Sequence, residues 1–248
     1  MRTGRRVLAL LLLAGLALLP AAALAQSLTF DMGAESGTNT GRIIELVALF
    51  TVLSLAPGIL IAVTSFTRII IVLSLLRTAL GIQGSPPNMV LISLALFLTA
   101  FIMAPTLQRA YDDGVHPLIE ERISEADAFE RTVKPFHDFM MAHVRERDLA
   151  LFMSLGKLPQ PATPDDTPFR ALLPGFLVSE LTRAFEIGFL LYLPFLVIDV
   201  VVASLVMSMG MASLPPSIIS LPFKLIFFVM IDGWYMVCGS LIRSFGPG

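Results

Sequence analysis

Ionisable side chains set inside long apolar runs constrain this chain more than any other feature. Four runs, Ile43 to Leu80, Met89 to Ala104, Leu172 to Met211 and Ser217 to Phe245, are dominated by Leu, Ile, Val and Phe. They nevertheless contain Arg68, Glu180, Arg183, Glu186, Asp199, Lys224 and Asp232. An ionised group at the centre of a membrane helix costs roughly 2.5 to 3.5 kcal/mol on insertion scales, so these groups are expected to face one another or another protein rather than lipid. Composition agrees: 56% of the residues are hydrophobic and 15% charged, against the ~25% charged that a soluble domain carries. The predicted fold is all-α, of the integral-membrane type, built from helical hairpins whose helices are kinked.

Prolines divide the runs. Ile43 to Leu80 is longer than the ~20 residues that cross a bilayer, and Pro57-Gly58 is expected to kink it or split it in two. A Gly/Ser/Pro turn around Gly81 to Asn88 stops it, and the next run is expected to end at Pro105. The third run carries Pro194, a Leu214-Pro215-Pro216 turn follows, and the fourth carries Pro222. The segments expected are a first hairpin over 42–105, a polar block over 106–171 and a second hairpin over 172–245. Inside the polar block, Phe129, Val133, Phe136, Met140 and Val144 recur at helical spacing, so Ser124 to Phe152 reads as an amphipathic helix or helix pair, followed by a proline-rich loop.

The N-terminus sets the orientation. Basic residues before an apolar stretch, a Pro20 break and small residues at Ala23 and Ala25 read as a cleaved signal peptide over 1–25, with cleavage between Ala25 and Gln26. A polar linker covers 26–41. An exported N-terminus and four crossings put both Pro-Pro turns in the cytoplasm, and the 106–171 block and C-terminus in the periplasm. Removing Arg2, Arg5 and Arg6 turns a net charge of −2 into −5, with 14 basic against 19 acidic residues, so no nucleic-acid partner is expected.

Spacing suggests how the internal charges pair. Glu180, Arg183 and Glu186 follow one another at intervals of three, so each neighbouring pair can meet on one helix surface. If the second hairpin turns near Ser213, Asp199 and Lys224 lie at similar depth on antiparallel helices, which predicts an ion pair. Arg68 and Asp232 then need partners in another hairpin or another subunit. Both signs occur without a common stripe, which favours structural pairing over a proton path.

Enzymatic chemistry finds no support. His116, His137 and His143 stand apart from any HExxH arrangement and read as surface imidazoles, and no GxSxG elbow, Walker loop or GxGxxG occurs. No catalytic residue, metal site or cofactor is expected. The lone Cys238 sits in an apolar run and reads as a small buried hydrophobe. Met207, Met209 and Met211 alternate around Gly210 before the Pro-Pro turn. Thioether side chains there could fill a core gap or, repeated by symmetry, close around an opening.

Several stretches resemble the FliP/SctR family of type III export proteins. They are Thr64-Ser65-Phe66-Thr67-Arg68 with the run to Arg77, Leu193-Pro194-Phe195 to Asp199, the Met-Gly-Met before Leu214-Pro215-Pro216, and Leu221-Pro222-Phe223-Lys224 with Asp232-Gly233-Trp234. The resemblance implies a core channel-forming subunit of the flagellar export gate in the inner membrane and basal body, passing unfolded flagellar proteins. It implies a pentamer joined by FliQ and FliR into a helical cone, with FlhA and FlhB below it. The family's methionine-rich constriction would fall at Gly210 to Ser213, where Ala212 and Ser213 replace methionines, leaving Met209 and Met211 as this chain's share. The alternative function considered from the sequence is a proton-coupled small-solute transporter.

Overall fold

The computed structural model describes residues 39–82, 84–210 and 215–246, and the described residues form helices and loops without strands. The cleavage site Ala25-Gln26, the linker up to residue 38 and Met211 lie outside them. The chain divides into two compact units, 1–52 and 53–248, and the packing below is that of the second.

Helix α1 (Asn39–Ala62) keeps helical backbone through position 57. The break comes instead at 63–65. There the Thr64 and Thr67 hydroxyls both donate to the Ile61 carbonyl, at 3.4 and 3.3 Å, and the Phe66 amide donates to Thr64 Oγ1. Short hydroxyl side chains compete for backbone groups in this way and end helices, so the Thr-Ser pair rather than Pro57 divides the run. Helix α2 (Phe66–Leu80) then buries Ile69, Val72, Leu73, Leu76 and Leu80 on one stripe, with Arg68 among them.

Helix α3 (Asn88–Ala110) does not end at Pro105. It runs on through a π-type turn (Tyr111–Val115) into α4 (His116–Ile119), giving 32 helical residues apolar enough to cross a membrane. The wide turn brings Gly114 against the next helix, where a Cβ would lie 2.1 Å from Thr132 Oγ1 and 2.9 Å from the Ala128 carbonyl oxygen. That close packing holds the helix together past the proline.

The first residues of the expected polar block, up to Ile119, continue the long helix, and of the amphipathic helix or helix pair expected over Ser124 to Phe152 the structure has the pair: α5 (Glu125–His143), capped by the Ser124 hydroxyl accepting from the Asp127 amide, and α6 (Glu146–Leu155). Its buried face is shifted from the expected one. Met140 is fully buried, but Phe129 is 72% exposed and Phe139 and His137 take inward positions. Helix α7 (Phe169–Ser208) is 40 residues long and continues through Pro174 and Pro194. Helices α8 (Pro216–Met230) and α9 (Gly233–Arg243) meet at a 63° bend, and taken together as one span they are long and apolar enough to cross a membrane, as Asn88–Ile119 and α7 each are alone.

The core forms where α2 lies between α3 and α7. Ile69, Val72 and Leu73 pack with Ala95, Leu172, Phe176 and Ala184. Helices α5 and α6 cover the first half of α7 and α8 its second half. Outward faces remain apolar: in the most apolar window of α7 only 17% of the residues are buried.

Candidate functional site: paired charges and a methionine tip

Arg68 and Glu180 meet in the interior of the second unit, both fully buried. The Arg68 guanidinium donates Nε to Glu180 Oε2 at 2.9 Å and Nη2 to Glu180 Oε1, and its Nη1 donates to the Ser244 carbonyl and hydroxyl, each at 3.0 Å. The Phe245 ring lies 3.7 Å from the guanidinium carbon. One cation thus ties α2 to α7 and to the end of α9, and its planar fork is what a two-point carboxylate contact requires.

Asp199 and Lys224 also stand together. Lys224 Nζ donates to Asp199 Oδ2 at 2.6 Å and to the Ala79 carbonyl at the end of α2 at 3.0 Å, and Ser220 Oγ donates to Asp199 Oδ1 at 2.6 Å. The pair lies where α7 and α8 pack on one another. The same side chain joins the second hairpin to the first through Ala79.

The run Glu180, Arg183, Glu186 does not pair within its own helix. Glu180 turns inward to Arg68, and exposed Glu186 is 3.5 Å from Arg145 of the loop before α6. Arg183 is half-buried and makes no hydrogen bond or ion pair among the described residues. Spacing of three allowed local pairs, but the completely desolvated Arg68 is the stronger claimant for a carboxylate. Asp232 is exposed at the α8–α9 bend, in left-handed backbone (φ 51°, ψ 52°), with no ion pair among the described residues.

A third cluster escaped sequence reasoning. Asp148 of α6 is 5% exposed; its Oδ2 accepts from Arg145 Nε at 2.7 Å and from the Ser179 hydroxyl at 2.8 Å, while that hydroxyl accepts from the Arg145 amide at 3.0 Å. The Arg145 guanidinium holds the Asp148 carboxyl below the usual carboxylate range, against burial, which pushes it up. Residues 31 positions apart leave no periodic signature; the only hint was an acid one turn into an amphipathic helix. The histidines differ from expectation as well. His116 is exposed, but His137 is buried, with Nε2 2.8 Å from the Thr167 carbonyl oxygen, and His143 packs on Phe139 and Phe245. Both belong to the seam where the polar block closes on α7. Among the described residues no group of His, Cys, Asp or Glu is arranged to hold a metal.

At the other end of α7 the side chains are apolar and open. Met207 and Met209 are 68% and 71% exposed, and Gly210 follows at φ +75°, backbone that a β-carbon would strain. Beside them an apolar groove of about 580 Å³ runs between α7 and α8, lined by Val201, Leu205, Met209, Phe223 and Phe227 among others.

A model of the FliP family matches residues 49–241, which contain all three charge clusters and the methionine tip. The chain belongs to the FliP family. It is 59% identical over 233 residues to the flagellar biosynthetic protein FliP of Caulobacter vibrioides, covering 94% of this chain and 87% of that one. It is 51% identical to the Bacillus subtilis protein of the same name, over 84% of this chain and 94% of the other, and 49% identical to that of Aquifex aeolicus, over 82% and 85%. The family match ends before Ser244 and Phe245, so the cap that closes over Arg68 lies just outside it. These relatives lend no support to a small-solute transporter.

Proposed function

We propose that this chain is a channel-forming subunit of the flagellar type III protein export gate, passing unfolded flagellar proteins across the inner membrane. Its membership of the FliP family across both hairpins carries this reading, since the relatives are flagellar biosynthetic proteins. The physical chemistry supports it. Two pairs of charges that would be costly in lipid, Arg68 with Glu180 and Asp199 with Lys224, are compensated inside the chain, and much of the outward face is left apolar. Phe185, Phe189 and Leu190 on α7 are each more than half exposed. Faces of that kind suit a stave whose neighbours are other protein helices as well as lipid.

In this proposal the chain is multi-pass with its 106–171 block in the periplasm, and copies assemble as a pentamer with FliQ and FliR into a closed helical cone above FlhA and FlhB in the basal body. The methionine tip supplies the closure. An exported chain presents every kind of side chain in turn, so the constriction must yield without binding any one strongly, and flexible thioethers do that. Met209 and Met211 carry this chain's part of the seal, Met207 borders it, and Gly210 allows the turn. Deleting Met209 to Ser213 should raise membrane conductance to small ions and reduce motility. An unchanged conductance in cells that still assemble the gate would refute the seal.

A further inference from the structure

An open cavity of about 1080 Å³ lies where the turn between α2 and α3 meets the first turns of α8. It is large against the ~300 to 1,000 Å³ typical of small-molecule sites. Its walls mix two chemistries: Arg77, Lys224, Asn88 and Ser217 are polar, Ile218 and Leu221 are apolar, and no carboxylate is among the lining residues. The turn and α8 meet at Lys224, whose Nζ donates to the Ala79 carbonyl and lies 4.0 Å from where a Cβ on Gly81 would stand. Lys224 is already compensated by Asp199, so the charge left over at the cavity is that of Arg77. The Arg77 guanidinium is braced through one nitrogen only. Its Nη1 donates to Asn88 Oδ1 and, at 3.4 Å, to the Pro86 carbonyl, while Nε and Nη2 make no hydrogen bond among the described residues. Those two nitrogens form the edge of the fork that matches two oxygens of one anion.

We infer that this cavity holds the phosphate of an anionic phospholipid, with Arg77 as its main ligand and the acyl chains leaving over the apolar side. The inference goes beyond the export-gate reading and takes from it only the orientation that puts these turns at the cytoplasmic leaflet. Basic pockets between membrane helices on that side suit anionic head groups. The cavity opens at the ends of apolar helices, where head groups rather than acyl chains surround a membrane protein. A free phosphate would use Arg77 but leave Ile218 and Leu221 facing water. A lipid uses both halves of the lining, since burying apolar surface is favourable in its own right. Ile218, and Met89 and Val90 next along the chain from Asn88, are each more than half exposed, which gives acyl chains an apolar exit.

The test uses the full chain with its gate partners, purified in a mild detergent and weighed with its bound lipid by native mass spectrometry. From micelles offering phosphatidylglycerol and phosphatidylcholine equally, the wild type should retain the first over the second by about tenfold, ~1.4 kcal/mol. Arg77→Gln should erase most of that preference, and Arg77→Lys, which keeps the charge without the fork, should keep about a third of it. Ser217→Glu brings a carboxylate to the cavity from the first turn of α8, where an acid suits a helix, so it should lower the preference without lowering the thermal midpoint. Arg243→Gln, at the exposed end of α9 and outside the cavity, should change nothing. Equal loads of the two lipids, a preference that survives both Arg77→Gln and Ser217→Glu, or an equal loss in Arg243→Gln would overturn the site. Displacement of the lipid by inorganic phosphate or a glutamate-rich peptide at matching concentration would overturn the lipid as its ligand. A gate that assembles and exports without the preference would sink this site alone, whereas a preference in a chain that never assembles would sink the gate reading alone.

Discussion

Replacing Glu180 by leucine should be among the most damaging single changes in this protein. Both Glu180 and Arg68 are completely buried, and the substitution leaves the guanidinium with only the Ser244 oxygens and the Phe245 ring. Removing one member of a buried pair costs about 3 to 5 kcal/mol, because the remaining charge is desolvated and uncompensated. Against a total stability of roughly 5 to 15 kcal/mol, that is a large fraction. At ~2 to 4 °C per kcal/mol for a folded unit of about this size, the midpoint should fall by about 6 to 20 °C. Arg68→Met should do less harm, since a buried carboxylate can take up a proton and a guanidinium cannot lose one. The double variant Glu180→Leu with Arg68→Met should recover most of the loss, because no charge is then stranded and the Ser244 hydroxyl keeps its bond to the Leu241 carbonyl. Thermal unfolding of the purified protein in detergent, compared across the four chains, is the assay. A shift below about 2 °C for Glu180→Leu, or a double variant no better than the single one, would refute the claim that this pair is compensated charge in a dry core.

The Asp199–Lys224 pair is partly exposed on its acidic side, so Asp199→Asn and Lys224→Met should each cost less than Glu180→Leu yet remain coupled by about 0.5 to 3 kcal/mol in a double-variant cycle. Additive losses would show that Lys224 acts mainly through Ala79. The depressed Asp148 carboxyl contributes stability that is fully present above its unfolded value of about 3.9 and is lost as pH falls through the lower folded value. Asp148→Asn should therefore shrink the midpoint difference between neutral buffer and about pH 3, and an unchanged difference would place the acid sensitivity elsewhere. Gly114→Ala should destabilise by about 1 to 3 kcal/mol, and Thr132→Ala should not rescue it, because the Thr132 amide and Ala128 carbonyl also crowd the site. Full rescue would mean that the Thr132 hydroxyl alone sets the approach.

Local rules carried the helices a long way. The amphipathic spacing around Met140 marked one helix or two, and the expected antiparallel hairpin paired Asp199 with Lys224, as the structure shows. They failed where two signals competed at one position. Pro57 and Pro105 looked like helix ends, yet the first break belongs to the hydroxyls of Thr64 and Thr67, and packing of Gly114 on Thr132 carries the second helix onward. Phe129, read as inward, is exposed because α5 turns Phe139 and His137 toward α7 and Phe245 instead.

By itself the sequence determined that this chain is helical, that its long faces must avoid water, and that its internal charges need partners, since those follow from composition and the solvation cost of single side chains. Only the tertiary structure decided who those partners are. Arg68 takes Glu180 from 112 positions away, leaving Arg183 without an ion pair among the described residues, because burial from both sides makes the completely desolvated pair the one that cannot go unmade. Helical spacing counts neighbours along one helix, whereas the cost of an unpaired charge is set by everything packed around it.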